Sequence, residues 1–318
     1  MKYFFDSLVD SFGVHHHTDG RRWLKESGYS LDDAARGLIS CLAHNDLGRA
    51  EVLFDYISRS RKGSDFYGFA TSSGQFNTYP SSEDAKGQVA WALGYSLSAG
   101  FKPQECRKIL VRIGPTLPKM KHIRGYAYAL LGAIYWDAGL AKQLAGKMDK
   151  LLQNCTKDWY WLEQRITYAN AIIPYSLLRY SLISGDKTMA DKAYKLLGFL
   201  EEVCTKGRVL GPVGNDGWFQ KGQARPADYS QQPVDVAYMV LAWVACYQFD
   251  GQRASLTNAK QWLNWFEGDN IAKQKMYQPK NLKCYDGINR GEINRHSGAE
   301  SNICLLLARA VYKSRTSL

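Results

Sequence analysis

Val89-Ala-Trp-Ala-Leu-Gly-Tyr-Ser-Leu-Ser-Ala-Gly100 is apolar or small at nearly every position, and so is Val236-Ala-Tyr-Met-Val-Leu-Ala-Trp-Val-Ala-Cys-Tyr247. Neither stretch alternates with a period of two, and each is too long for a single buried strand. Both therefore read as helices that are apolar all round, and such helices are buried. The stretch from Lys187 to Val203, KTMADKAYKLLGFLEEV, is charged along one face and reads as a peripheral helix.

The same alternation runs along the chain. Helices are expected at Leu31–Asn45, Arg49–Arg61, Glu83–Ala99, Gln104–Ile113, His122–Ala138, Leu140–Gln153, Trp161–Ile183, Thr188–Thr205, Val234–Phe249, Leu256–Phe266 and Ala299–Tyr312. Inner and outer helices pair at a spacing of roughly 50 residues, a helical-hairpin register. The N-terminal segment is the candidate for the missing outer partner. An open solenoid would show similar pairs, but the loops argue otherwise. Those before inner helices are long (Lys62–Ser82, Gly207–Ser230, Gly268–Ser297) and those after them are short. Long loops gathered on one side suggest a decorated active face. The expectation is an all-α chain, a toroid of six hairpins or (α/α)6 barrel, forming one domain over residues 1–318.

Composition narrows the functional classes. Of 318 residues, 45% are hydrophobic and 22% charged, as in an ordinary folded protein. Seven cysteines are scattered without a CxxC pair, which fits thiols in a reducing, cytoplasmic setting. No window approaches a membrane span, and the N-terminus lacks the pattern of a secretory signal. The net charge of +11 is spread out, densest from Lys102 to Arg124, and no nucleic-acid motif accompanies it. It reads as solvated basic surface, with an anionic partner as the alternative. His15, His16 and His17 are consecutive, so they point apart, and no clustered His or Cys joins them; no metal site is expected. No phosphate loop or nucleophile elbow is present, and no cofactor is expected.

Chemistry concentrates where the inner helices begin. Ser30-Leu-Asp-Asp33-Ala-Ala-Arg36, Ser81-Ser-Glu-Asp84, Ser230-Gln-Gln-Pro-Val-Asp235 and Ser297-Gly-Ala-Glu300-Ser-Asn302 are polar clusters. In three of them Ser is followed by an acid three residues on, the spacing of a capping box. Capping alone accounts for Asp33, Asp84 and Glu300, for about 1 kcal/mol each. Their neighbours Asp32, Arg36, Glu83 and Asn302 exceed what a cap requires. Trp161, Glu163 and Tyr168 are expected near the start of the fourth inner helix, with Asn170 further on. Gly214-Asn215-Asp216-Gly217-Trp218 is a turn that exposes a short acid beside an indole. A second Asp-Gly turn, at Asp286, leads to Asn294-Arg-His296.

Several acids among aromatic rings and amides fit glycoside chemistry. One carboxylic acid protonates the leaving oxygen, and a second carboxylate activates water or attacks the sugar. The acid/base candidates are Glu163, Asp216, Asp33, Asp84 and Glu300. Glu163 and Asp216 carry most of that claim because no cap explains them. The candidates for substrate binding are Arg36, Trp161, Tyr168, Asn170, Asn215, Trp218, Gln231, Gln232, Asp235, Asp286 and His296.

The strings YSLDDAARGLI (29–39), SSEDAKGQVAWALG (81–94), WYWLEQRITYANAIIP (159–174), GNDGWF (214–219), QQPVDVAYM (231–239) and DGINRGEINRHSGAES (286–301) resemble motifs of the six-hairpin glycosidase-like superfamily. The likeness covers about residues 10–312. It implies an (α/α)6 barrel, a carbohydrate substrate and, from relatives fused to or found beside glycosyltransferases, a glycosyltransferase partner. The usual EDxxGR reads Glu83-Asp-Ala-Lys-Gly-Gln88 here, and His296 lies within the NxGAES-like run. Glycoside hydrolysis is the first functional expectation. A non-catalytic glycan-binding role in polysaccharide synthesis is the second. A sugar epimerase or isomerase is the third, with His122 or His296 as its histidine. A terpene-synthase-like use of Asp32-Asp33 ranks last, because Arg36 stands where a further acid belongs.

Overall fold

The structure is a computed structural model and describes residues 3–205, 209–315 and 318; the expected loop from Gly207 is described from residue 209 onward. Eleven α-helices run in chain order among the described residues. They are α1 (Leu31–Ala43), α2 (Leu47–Arg59), α3 (Glu83–Ser98), α4 (Pro103–Ile113), α5 (Ile123–Ala133), α6 (Ala138–Leu152), α7 (Ile172–Ser184), α8 (Lys187–Thr205), α9 (Pro233–Asp250), α10 (Arg253–Glu267) and α11 (Ala299–Ser314). The sheets among these residues are two-stranded pieces in the loops. No helix among them is long and apolar enough to cross a membrane.

The chain divides into two compact units. One runs to residue 146 and includes 297–303 and 318; the other comprises 147–296 and 304 onward. In the first unit, α1 packs on α2 and α3, and α3 packs on α4 and α5. In the second, α7 packs on α8 and α9, and α9 on α10. The apolar-all-round stretches are the buried helices: every residue of α5 is buried, as are Ala85–Gly94 of α3 and Pro233–Ala242 of α9.

Helix starts follow local chemistry. Ser30 Oγ caps α1 by accepting from Asp33 N at 3.5 Å, and Asp46 caps α2 by accepting from Arg49 N at 3.2 Å. Pro103 opens α4, where a missing N–H costs nothing. At α3 the cap is Ser82, which accepts from Ala85 N at 3.1 Å. The expected Ser81–Asp84 box does not form, because Ser81 Oγ donates instead to Asp65 at 3.3 Å.

One helix is shorter than its sequence promised. The expected Trp161–Ile183 begins only at Ile172, and Arg165–Ile166 pairs as a strand with Phe219–Gln220. Asn170 is the physical reason: its side chain accepts from Thr167 N at 3.1 Å and donates to Thr167 O at 3.2 Å. That local bonding competes with helix formation. Glu163 and Thr167 therefore do not share a helix face.

The backbones of α3 and α5 approach each other very closely. A Cβ on Gly94 would lie 2.4 Å from Gly132 O, and one on Gly132 would lie 2.2 Å from Ala90 O. One turn-pair earlier, a Cβ on Gly87 would lie 2.6 Å from Gly125 O. Two glycines seven residues apart on each helix thus let the backbones touch. The obstructing atoms are main chain, which cannot swing away. Gly132→Ala is expected to destabilise the fold by at least about 2 kcal/mol, seen as a lower urea midpoint, whereas exposed Gly146→Ala should not.

Candidate active site

The first unit gathers charge at the start of α1. Arg36 is 2% exposed, and its guanidinium meets three carboxylates. One terminal nitrogen donates to Asp32 and Asp33, both at 3.2 Å, and the other to Glu300 at the start of α11. Asp32 and Asp33 lie four and three residues before Arg36, so helical geometry alone brings them to it. Glu300 arrives from the far end of the chain.

Asp33 is fully buried and has a second partner: its other carboxylate oxygen lies 2.5 Å from His16 Nδ1. His16 sits on a loop, but its backbone is pinned on both sides. Its N–H donates to Gly28 O at 3.0 Å, and its carbonyl accepts from Ala299 N at 3.0 Å. Thr18 Oγ1 ties the same loop to Ser297 O at 2.9 Å. His15 turns elsewhere, stacking on Trp23 at 4.0 Å and approaching Asp10 at 3.3 Å.

Three carboxylates against Arg36 and a protonated His16 leave one negative charge in excess, and the titration behaviour follows from this. Burial alone would push the His16 imidazolium down, but Asp33, helped by Asp32 and Glu300, outweighs it and holds His16 up at about 8. Burial likewise opposes ionised Asp33, but His16 and Arg36 outweigh it and keep its carboxyl below the ordinary value. Loss of bulk water pushes Glu300 up against the pull of Arg36, and Asp33 and Asp32 add to the rise. Asp33 orients and charges His16 while the far ring nitrogen stays open, which is the arrangement of a general base held by a carboxylate. The reachable groups are His16, Asp32 and Glu300, with side chains 24%, 33% and 37% exposed.

These contacts correct the capping explanation. Neither Asp33 nor Glu300 serves as the back-reaching acid of a box; both are bound to Arg36. Glu83, by contrast, is structural, because its Oε2 accepts from Lys121 N at 2.7 Å and His122 N at 2.8 Å ahead of α5. Asp84 is half-buried in the first turn of α3.

The second unit holds the other expected residues. Asp216 stands exposed on a turn that lines a cavity of about 470 Å³ with Trp218, Asp228, Tyr229 and Arg290. Trp218 Nε1 donates to Asn215 at 3.3 Å, and Asn215 donates to Gln232 at 2.7 Å, so the indole is oriented by an amide chain. Tyr168 is 43% exposed. Glu163 is half-buried, and its backbone carbonyl accepts from Trp159 Nε1 at 2.8 Å. His296 is exposed beside Asn294, Arg295 and Glu292, and Asp286 is partly buried. Trp161 and Gln231 are both buried, and Gln231 accepts from Trp265 Nε1 at 2.9 Å and donates to Asp228 O at 3.0 Å. Asn170 and Asp235 are buried against each other at 3.5 Å. His16 is the residue that reading the sequence missed. Its only signal was three histidines in a polar loop, weighed there solely as metal ligands.

The His16–Asp33 pair should write itself into stability. The raised imidazolium stabilises the fold fully below its unfolded value of 6.5, and this is lost as pH rises through about 8. The depressed Asp33 stabilises above its unfolded value of 3.8, and this is lost as pH falls through its lower folded value. Urea titrations across pH should show wild type exceeding His16→Asn by on the order of 1–2 kcal/mol between roughly pH 4 and 6.5, with the gap shrinking from there and nearly gone above about 8. A gap independent of pH would mean that the pair carries no charge coupling.

No protein-family model matches the chain, and no curated protein does. Solved structures match over nearly its whole length. A sugar epimerase from a ruminal bacterium is 12% identical, with 99% of this chain and 96% of that one covered at a TM-score of 0.74. Cellobiose 2-epimerase from Bacillus thermoamylovorans is 12% identical over 96% and 95%, with a TM-score of 0.70. The GH76 α-mannanase of Bacteroides thetaiotaomicron is 11% identical over 98% and 93%, with a TM-score of 0.63. At such identities the likeness is one of fold, and the chain has the (α/α)6 hairpin fold.

Proposed function

We propose that this protein is a carbohydrate-active enzyme that moves protons on a sugar, with His16 as the base, Asp33 orienting it, and Glu300 as the second proton carrier. The observation that carries this reading is the 2.5 Å contact between His16 Nδ1 and buried Asp33, within one cluster held by Arg36. The fold is shared with sugar epimerases, a D-mannose isomerase and glycosidases, which supports a carbohydrate substrate. The cytoplasmic setting read from the scattered cysteines and the glycosyltransferase partner belong to the same proposal.

His16 changes the order in which the reactions rank. Epimerisation or isomerisation removes a proton from the carbon beside the carbonyl of an open-chain sugar and returns one to the opposite face or to the adjacent carbon. That needs a base titrating near neutrality and a second group to deliver a proton. His16 fits the first role and Glu300, with its raised pKa, fits the second. Glycoside hydrolysis is the second reading, favoured by Glu300 as an acid beside Asp32 as a carboxylate.

Proton NMR in D2O with D-mannose and with cellobiose separates these readings. Proton abstraction predicts deuterium at C2 with the glycosidic bond intact; hydrolysis predicts free glucose from cellobiose. In the first case kcat/KM rises with pH through about 8, because His16 must be neutral to accept a proton. His16→Ala should lower the rate by about 100-fold or more, and Asp33→Asn should remove the inflection near 8. Unchanged turnover in His16→Ala would sink this assignment.

A further inference from the structure

Phe69 is 44% exposed, although an aromatic ring of that size gains most from burial. Its ring lies edge-on to His16, centroids 5.6 Å apart and planes at 66°. This placement is built into the backbone. Phe69 pairs with Ser30 and Ala70 with Tyr29, antiparallel, and Ser30 is the residue that caps α1. His16 N in turn bonds Gly28 O, the residue just before the Tyr29–Ser30 strand. Gly28 has a φ of +56°, and a Cβ there would lie 2.1 Å from Ala70 O. Only glycine lets the Phe69 strand approach so closely. The exposed ring, the imidazole and the acids of α1 thus ride on one short hydrogen-bonded frame.

We propose that Phe69 is the stacking platform that seats a pyranose or open-chain sugar against His16. A sugar is polar at its rim and apolar on its C–H faces, so an open aromatic face beside charged groups matches both parts. The ring touches substrate and sets its position, and His16, Asp32 and Glu300 then meet hydroxyl and carbon-bound protons at the rim. Phe69 is partly exposed and not a core residue, so truncating it leaves the fold in place. This inference rests on the proton-transfer reading above.

The test uses the full chain with cellobiose as probe, followed by saturation-transfer NMR and by turnover in D2O. Phe69→Ala is expected to weaken binding or raise KM by about ten-fold or more, with kcat much less affected and the melting midpoint within about 2 °C of wild type. Phe69→Trp should restore binding, while Phe69→Leu, apolar but without a ring, should not. Equal binding by wild type and Phe69→Ala overturns the platform and leaves the acid–base reading standing. Rescue by Phe69→Leu also overturns it, since plain apolar area would then suffice. Wild type that neither binds nor turns over cellobiose or D-mannose overturns the sugar reading itself, and the platform with it.

Discussion

A guanidinium that is almost wholly buried has to be matched by carboxylates, because an unpaired charge at that depth costs several kcal/mol. Arg36 meets this demand with Asp32 and Asp33 from its own helix and Glu300 from α11. The constraint reaches well past α1. It ties the end of the chain to its beginning, brings the start of α11 beside the N-terminal loop, and leaves that loop able to bond Ala299 and Ser297.

Three acids are more than one arginine balances, and this surplus gives the cluster its chemistry. His16 takes up the surplus and is held up at about 8. Glu300 is also pushed up, by loss of bulk water and by the neighbouring Asp33 and Asp32, against the pull of Arg36. A surplus of negative charge thus makes both groups hold their protons more tightly than they would in water. A pair built only for stability would gain nothing from leaving a third of Glu300 open or the far nitrogen of His16 reachable.

The helices were legible because their patterns are local. Apolar-all-round α3, α5 and α9 and one-sided α8 follow from periodicity, and most boundaries fall within a few residues of expectation. The failure at 161–171 is local too, since Asn170 bonds the backbone of Thr167 in a way that composition does not reveal. The site was legible only in part. Asp33, Arg36 and Glu300 stand out as polar residues at buried helix starts. Their capping-box spacing offered a sufficient local explanation, and nothing in the sequence states that each acid faces Arg36 instead.

Local pattern was enough to place most of the helices and to say which of them are buried, because the 3.6-residue period and the caps act within a turn or two. Helical spacing also put Asp32 and Asp33 within one turn of Arg36, without saying that they meet it. Long-range folding set the rest: that Arg36 meets those acids together with Glu300, 264 residues away, that His16 contacts Asp33, and that Phe69 stands beside His16. Those contacts depend on loops pinned by hydrogen bonds between segments distant in sequence, and no local pattern encodes them.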